Sequence, residues 1–195
     1  MNQLRKFATG LDKNTRLKKF MIAVDKVNQF TGKVMAYLLL AAILVITYEV
    51  VMRYLFNKPT IWAHESMTLM FAILYIGLGG YCHAFHGHVR VDVFYASRPP
   101  RTRAIFDLFT SIFFFLFATT FTYTSWTFYW SSQTMMGGGK LFGMSIPGEL
   151  SFSNWGPPIF CIKFMMPLAG LLLLLQGVNW FLRDLHIAIT GREMT

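Results

Sequence analysis

Four long apolar stretches, at 34–52, 61–84, 104–130 and 157–182, dominate a chain of 195 residues. A helix crosses a hydrocarbon layer ~30 Å thick in roughly 20 residues. Each stretch is therefore long enough, or nearly so, to span a bilayer. Only closed backbone hydrogen bonding is tolerated there, and for segments of this length that means helices. The reading is an all-α integral membrane protein with four transmembrane helices and no separate soluble domain. Composition agrees: 54% of residues are hydrophobic and 17% aromatic, against 14% charged. Residues 1–33 read as a basic cytoplasmic or interfacial segment, 34–185 as the four-helix membrane domain, and 186–195 as a cytoplasmic tail. Ser131–Gly156 is the one long loop, rich in glycine and placed on the outer side.

Positive charge alternates with the spans. Arg5, Lys6, Lys13, Arg16, Lys18, Lys19, Lys26 and Lys33 precede the first; Arg90, Arg98, Arg101 and Arg103 lie between the second and third; Arg183 and Arg192 follow the fourth. The opposite side holds Arg53, Lys58 and Lys140, with Lys163 inside the last stretch. Lys and Arg concentrate in cytoplasmic loops, so both termini are expected in the cytoplasm. The net charge of +9 thus follows topology, and no nucleic-acid partner is expected.

Upstream of the first span, Leu17, Phe20, Met21, Val24 and Val27 recur at helical spacing, with Lys18, Lys19, Asp25 and Lys26 on other faces. That pattern predicts an N-terminal amphipathic interfacial helix over about 14–31, lying at headgroup level among membrane lipids. The polar, basic lead-in and the length of the first apolar stretch argue for an uncleaved anchor. Cys82 and Cys161 fall near opposite faces, which disfavours a disulfide.

Charges near hydrocarbon need partners. Glu49 and Arg53 stand four apart on one helix face, acid first, the favourable order. Two readings stay open: a snorkelling pair at the outer interface, or a charge facing another helix or subunit. Glu65 is placed to join Arg53 or Lys58 across the short outer turn. Lys163 either snorkels outward or meets an acid on a partner. Asp107 suits the start of its helix, where negative charge is favoured.

No catalytic or cofactor pattern emerges. His64 and His83 are about 28 Å apart along a helix at 1.5 Å per residue, so they cannot flank one haem. Gly137–Gly138–Gly139–Lys140 lacks the earlier glycine and the following Ser or Thr of a phosphate loop; those positions hold Thr134 and Leu141. Neither internal repeats nor broken helices point to a self-sufficient carrier. The chain reads as a non-enzymatic accessory or scaffold subunit. A membrane anchor of a haem- or quinone-linked redox enzyme is the alternative.

Several segments carry a family likeness. Glu49–Val–Val–Met–Arg53–Tyr54–Leu–Phe56, Trp62–Ala–His–Glu65, Gly77, His88–Val–Arg90–Val–Asp92, and Pro167–Leu–Ala–Gly170 with Gln176 resemble the small membrane subunit, of the DctQ type, of tripartite ATP-independent periplasmic (TRAP) transporters. The resemblance implies a multi-pass protein of the bacterial inner membrane. Its expected partners are a large multi-helix subunit and a periplasmic substrate-binding protein. The large subunit is expected to carry the substrate and sodium sites, with uptake of a solute such as an organic acid driven by an ion gradient. No cofactor is expected in this chain. It implies that Glu49, Arg53, Trp62 and Glu65 stabilise the fold or the contact with the large subunit, and that His88 and Asp92 order the inner loop. Lys163 joins them as a candidate for the subunit interface.

Overall fold

The computed structural model describes residues 15–85, 87, 98–134, 140–141, 144–145 and 148–191. Helix α1 runs Thr15–Tyr54, α2 Ile61–Ala84 and α3 Pro100–Gln133. A two-residue strand pair follows, β1 (Lys140–Leu141) antiparallel to β2 (Met144–Ser145). Then come a single helical turn, α4 (Phe160–Lys163), and a long final helix, α5 (Met165–Thr190). Four segments of this set are long and apolar enough to cross a membrane, with α4 and α5 together forming the fourth.

The amphipathic segment and the first span are one continuous helix of 40 residues. The change from basic to apolar composition at Lys33–Val34 leaves the backbone uninterrupted. Gly32, the one residue there with poor helix propensity, is buried instead against the Tyr81 ring. At 1.5 Å per residue α1 is about 60 Å long, twice a hydrocarbon layer of ~30 Å.

Local chemistry explains the other boundaries. Asn57 adopts a positive φ of 50° in the outer turn, a conformation asparagine tolerates better than most residues. Pro100 occupies the start of α3, where a missing N–H costs nothing, so the helix begins four residues before the expected 104. The last span pauses at Phe164. Pro167 lacks an N–H, and its ring crowds the carbonyl four residues back, which is that of Lys163, the last residue of α4. Gly191 closes α5 in the left-handed conformation at φ 73°, its N–H reaching Ile187 O at 2.8 Å.

Helix α5 is central, packing most extensively on α3, then on α2, and more briefly on α1; α1 and α2 also pack together. Apolar side chains give no net driving force between helices in lipid, so close approach at small residues carries the association. Gly80 sits where α1, α2 and α5 meet, touching Asn28 and Leu172. Gly170 and Gly177 let α5 close on Thr122 and Phe114 of α3. Large apolar residues cover the outside of α1 and α3, among them Tyr37, Leu44, Phe109, Phe113, Leu116 and Trp126. That is the inverse of a water-soluble bundle and fits a hydrocarbon surrounding.

Candidate functional sites at the two ends of the bundle

At the outer end, Glu49 is the hub of the first turn. Arg53 Nη2 donates to its Oε1 at 2.8 Å. Its Oε2 accepts from the backbone N–H of Thr60 at 3.2 Å and from the Thr60 hydroxyl. Thr60 is the residue that caps α2, so one carboxylate holds the end of α1 to the start of α2 and satisfies a donor the helix leaves open. The Glu49 side chain is only 12% exposed while that of Arg53 is 51% exposed, so the pair presents its cationic half outward. Trp62 stacks on Tyr48 with ring centroids 5.7 Å apart, bracing the same corner. A groove of about 210 Å³ opens beside it, lined by Ile46, Glu49, Arg53, Tyr54, His64 and Met67 among others.

The segment 148–159 crosses this end as a strap. Glu149 N–H donates to Ser132 O at 3.0 Å, Ser151 N–H to Pro157 O at 2.9 Å, and Ile159 N–H to Glu149 O at 3.0 Å. Glu149 also accepts from Ser132 Oγ at 2.7 Å and forms an ion pair with Lys163. The Lys163 ammonium, followed by the Ser132 hydroxyl, holds the Glu149 carboxyl below the usual carboxylate range. Lys163 Nζ lies 4.1 Å from the centroid of the Phe128 ring, adding a cation–π contact. Two expectations change here. Lys163 neither snorkels alone nor waits for an acid on a partner, because its own outer loop supplies Glu149. Glu65 does not join Arg53 or Lys58; its carboxylate accepts a hydrogen bond from Ser153, eighty-eight positions along the chain. Both differences arise because the strap folds back over the helix ends, a long-range event that helical spacing does not encode.

At the inner end lies a polar network that sequence reasoning missed. Asp25 on α1 accepts from Gln176 Nε2 at 3.1 Å, Asn179 Nδ2 at 2.8 Å and Arg183 Nη2 at 2.7 Å, all on α5. Asn28 Nδ2 donates to Gln176 Oε1 at 2.8 Å. Asn28, Gln176 and Asn179 are fully buried. The Oδ1 atoms of Asn28 and Asn179 lack hydrogen-bond partners among the described residues. Trp180 Nε1 donates to His83 O at 3.1 Å, tying α5 to α2, and the Arg183 guanidinium lies 4.8 Å from the Trp180 ring. A signal did exist: Gln176, Asn179 and Arg183 recur at helical spacing in a leucine-rich span, and Asp25 and Asn28 share one face of α1.

His83 stacks on Phe114 with centroids 4.7 Å apart. Among the described residues no group of three or more His, Cys, Asp or Glu side chains could hold a metal ion. Cys82 and Cys161 are both free thiols. His88 and Asp92, the inner-loop candidates, lie outside the described residues, as do residues 1–14 and 192–195.

The family described as tripartite ATP-independent periplasmic transporters, DctQ component, matches residues 42–186, a stretch that includes all of α2, α3 and α4, most of α5 and the outer part of α1. The chain is also 31% identical over 136 residues to the C4-dicarboxylate TRAP transporter small permease protein DctQ of Vibrio cholerae serotype O1. That alignment covers 67% of this chain and 59% of the relative, so the chain spans less than two thirds of the relative's length. The match does not favour the redox-anchor alternative. With four apolar helices, it identifies a multi-pass protein of the bacterial inner membrane. The match over residues 42–186 and this relative together show that the chain belongs to the DctQ family of tripartite ATP-independent periplasmic transporter components.

Proposed function

We propose that this chain is the non-catalytic small permease subunit of a TRAP-type secondary transporter, with both termini in the cytoplasm. It braces a large transport subunit, which takes up a solute delivered by a periplasmic binding protein. The solute is an organic acid, in keeping with the C4-dicarboxylate named for the Vibrio relative. Energy comes from an ion gradient, sodium being the expected ion, used by the large subunit; this chain carries no cofactor.

One observation carries the reading beyond family membership. No Asp, Glu, Lys or Arg occurs in 34–48, 66–85, 108–134 or 164–182. Transporters that move ions and anionic solutes place polar groups near the bilayer midplane. Here the charges sit at the two ends and are used to hold helices together, as Glu49 and Asp25 do. A chain arranged this way is suited to stiffen a partner and unsuited to bind an anion in mid-membrane.

Arg53→Ala tests the reading. It removes the cationic partner of a largely buried carboxylate, leaving only Thr60 to satisfy it, at the corner where the fold faces the outer surface. The expected result is a severalfold lower yield of the large subunit on co-purification, with relative uptake of competing organic acids unchanged in the complex that does form. Full assembly with altered solute preference would instead place Arg53 in substrate handling.

A further inference from the structure

Helix α1 buries one face and leaves the opposite one uncovered along its first half. Met21, Val24, Asn28, Gly32 and Met35 are the buried positions. Lys19, Lys26 and Lys33 stand at successive heptad intervals on the other side, and all three are exposed. Heptad positions on a straight helix drift only about 20° per repeat, so the three ammonium groups form a single stripe. It extends about 21 Å, at 1.5 Å per residue. Phe30, 67% exposed, lies within the stripe, and Phe20, Val27 and Val34 flank it. Among the described residues no salt bridge compensates these lysines, in contrast to Arg183 and Lys163.

We infer that this face of α1 is a binding surface for the headgroups of anionic phospholipids in the cytoplasmic leaflet. Three arguments converge on a lipid. First, Lys33 stands 21 positions before Tyr54, about 32 Å along the helix at 1.5 Å per residue, so it falls where hydrocarbon ends if Tyr54 marks the other side. Second, α1 is twice as long as the hydrocarbon is thick, so Lys33 meets the headgroup layer and an oblique crossing brings Lys26 and Lys19 nearer to it. Third, cations and apolar side chains share one face, the arrangement that sits at the boundary between phosphate and acyl chain. An acidic protein would use the lysines and leave Phe20, Val27 and Phe30 in water. Juxtamembrane lysines near an anionic surface are worth about fivefold each in affinity. The inner network fixes the stripe in orientation, because Asp25 and Asn28 lock the opposite face onto α5. The inference rests on the cytoplasmic placement of the start of α1 proposed above.

The test uses the full chain purified in detergent, where binding is read without reference to topology. Retained phospholipid is counted by native mass spectrometry after exposure to mixed micelles of phosphatidylglycerol and phosphatidylcholine. The chain is expected to keep phosphatidylglycerol preferentially. Lys19→Gln, Lys26→Gln and Lys33→Gln combined should lower its retention by at least about tenfold, leaving phosphatidylcholine unchanged. Single variants should give graded losses, and the matching Lys→Arg set should bind like the parent, which separates lost charge from lost fold. Undiminished phosphatidylglycerol in the triple Gln variant, or equal loss of both lipids, would overturn the assignment. So would displacement of phosphatidylglycerol by polyglutamate at equal charge, which would mark the stripe as a site for an acidic polypeptide. Lipid binding as expected, combined with an N-terminus mapped outside the cytoplasm, would refute the topology and leave the stripe standing.

Discussion

Gly80→Ala destabilises the protein by about 1–3 kcal/mol, whereas Gly79→Ala one position earlier leaves it unchanged or slightly more stable. Alanine normally improves a helix interior relative to glycine by up to about 1 kcal/mol. At Gly79 the new methyl group meets nothing closer than Leu173 Cδ1 at 4.0 Å, so that gain is expected to show. At Gly80 it would lie 2.3 Å from Asn28 Oδ1 and 3.2 Å from Leu172 Cβ, on two different helices. Asn28 cannot swing aside freely because Gln176 and Val24 hold its amide. Overpacking a fitted contact costs about 1–3 kcal/mol, and here it also loosens a buried hydrogen bond. Thermal midpoints of the two variants in one detergent provide the comparison. Equal midpoints would mean that α1, α2 and α5 do not meet at Gly80 as described.

The second large effect concerns Asp25. Asp25→Ala deprives Gln176, Asn179 and Arg183 of a shared acceptor and is expected to cost about 2 kcal/mol. Interhelical hydrogen bonds in membranes average about 0.6 kcal/mol, and bonds to charged groups run higher. Partial exposure, 24% for Asp25 and 31% for Arg183, keeps the figure below that of a fully buried ion pair. The pairwise contribution is separable. A double-mutant cycle of Asp25→Ala with Arg183→Ala should give a coupling of about 1 kcal/mol. Additive effects would show that the two side chains do not act together.

Much of this fold is legible in the chain because hydrocarbon imposes length. The expected 61–84 is the observed α2, and the expected 104–130 falls inside α3. The continuity of α1 was hidden by a composition change. A shift from Lys-rich to Leu-rich sequence alters what surrounds a helix without altering its backbone, and Gly32 resembles a break until Tyr81 is seen packed on it. The Glu49–Arg53 pair was legible from spacing alone. Its further role in holding Thr60 was not, because that bond joins two helices. The strap was the least legible part. Glu149 and Ser153 sit in a loop without periodicity, and they find Lys163 and Glu65 only after the bundle has brought the outer helix ends together. The inner network was hidden differently: Gln176 and Asn179 lie within an apolar run, and reading that run for hydrophobicity discounts the rare polar residues that join it to Asp25 and Asn28.

These features make an end-clamped bundle with no charged residue in the middle of its apolar spans, an arrangement that supports the proposed role exercised through a companion. Uptake into proteoliposomes, with each component omitted in turn and an imposed sodium gradient, addresses that directly. Flux should require this chain, the large subunit and the binding protein together, and this chain alone should give none. Solute flux sustained by this chain alone, or undiminished flux when it is left out, would contradict a bracing role.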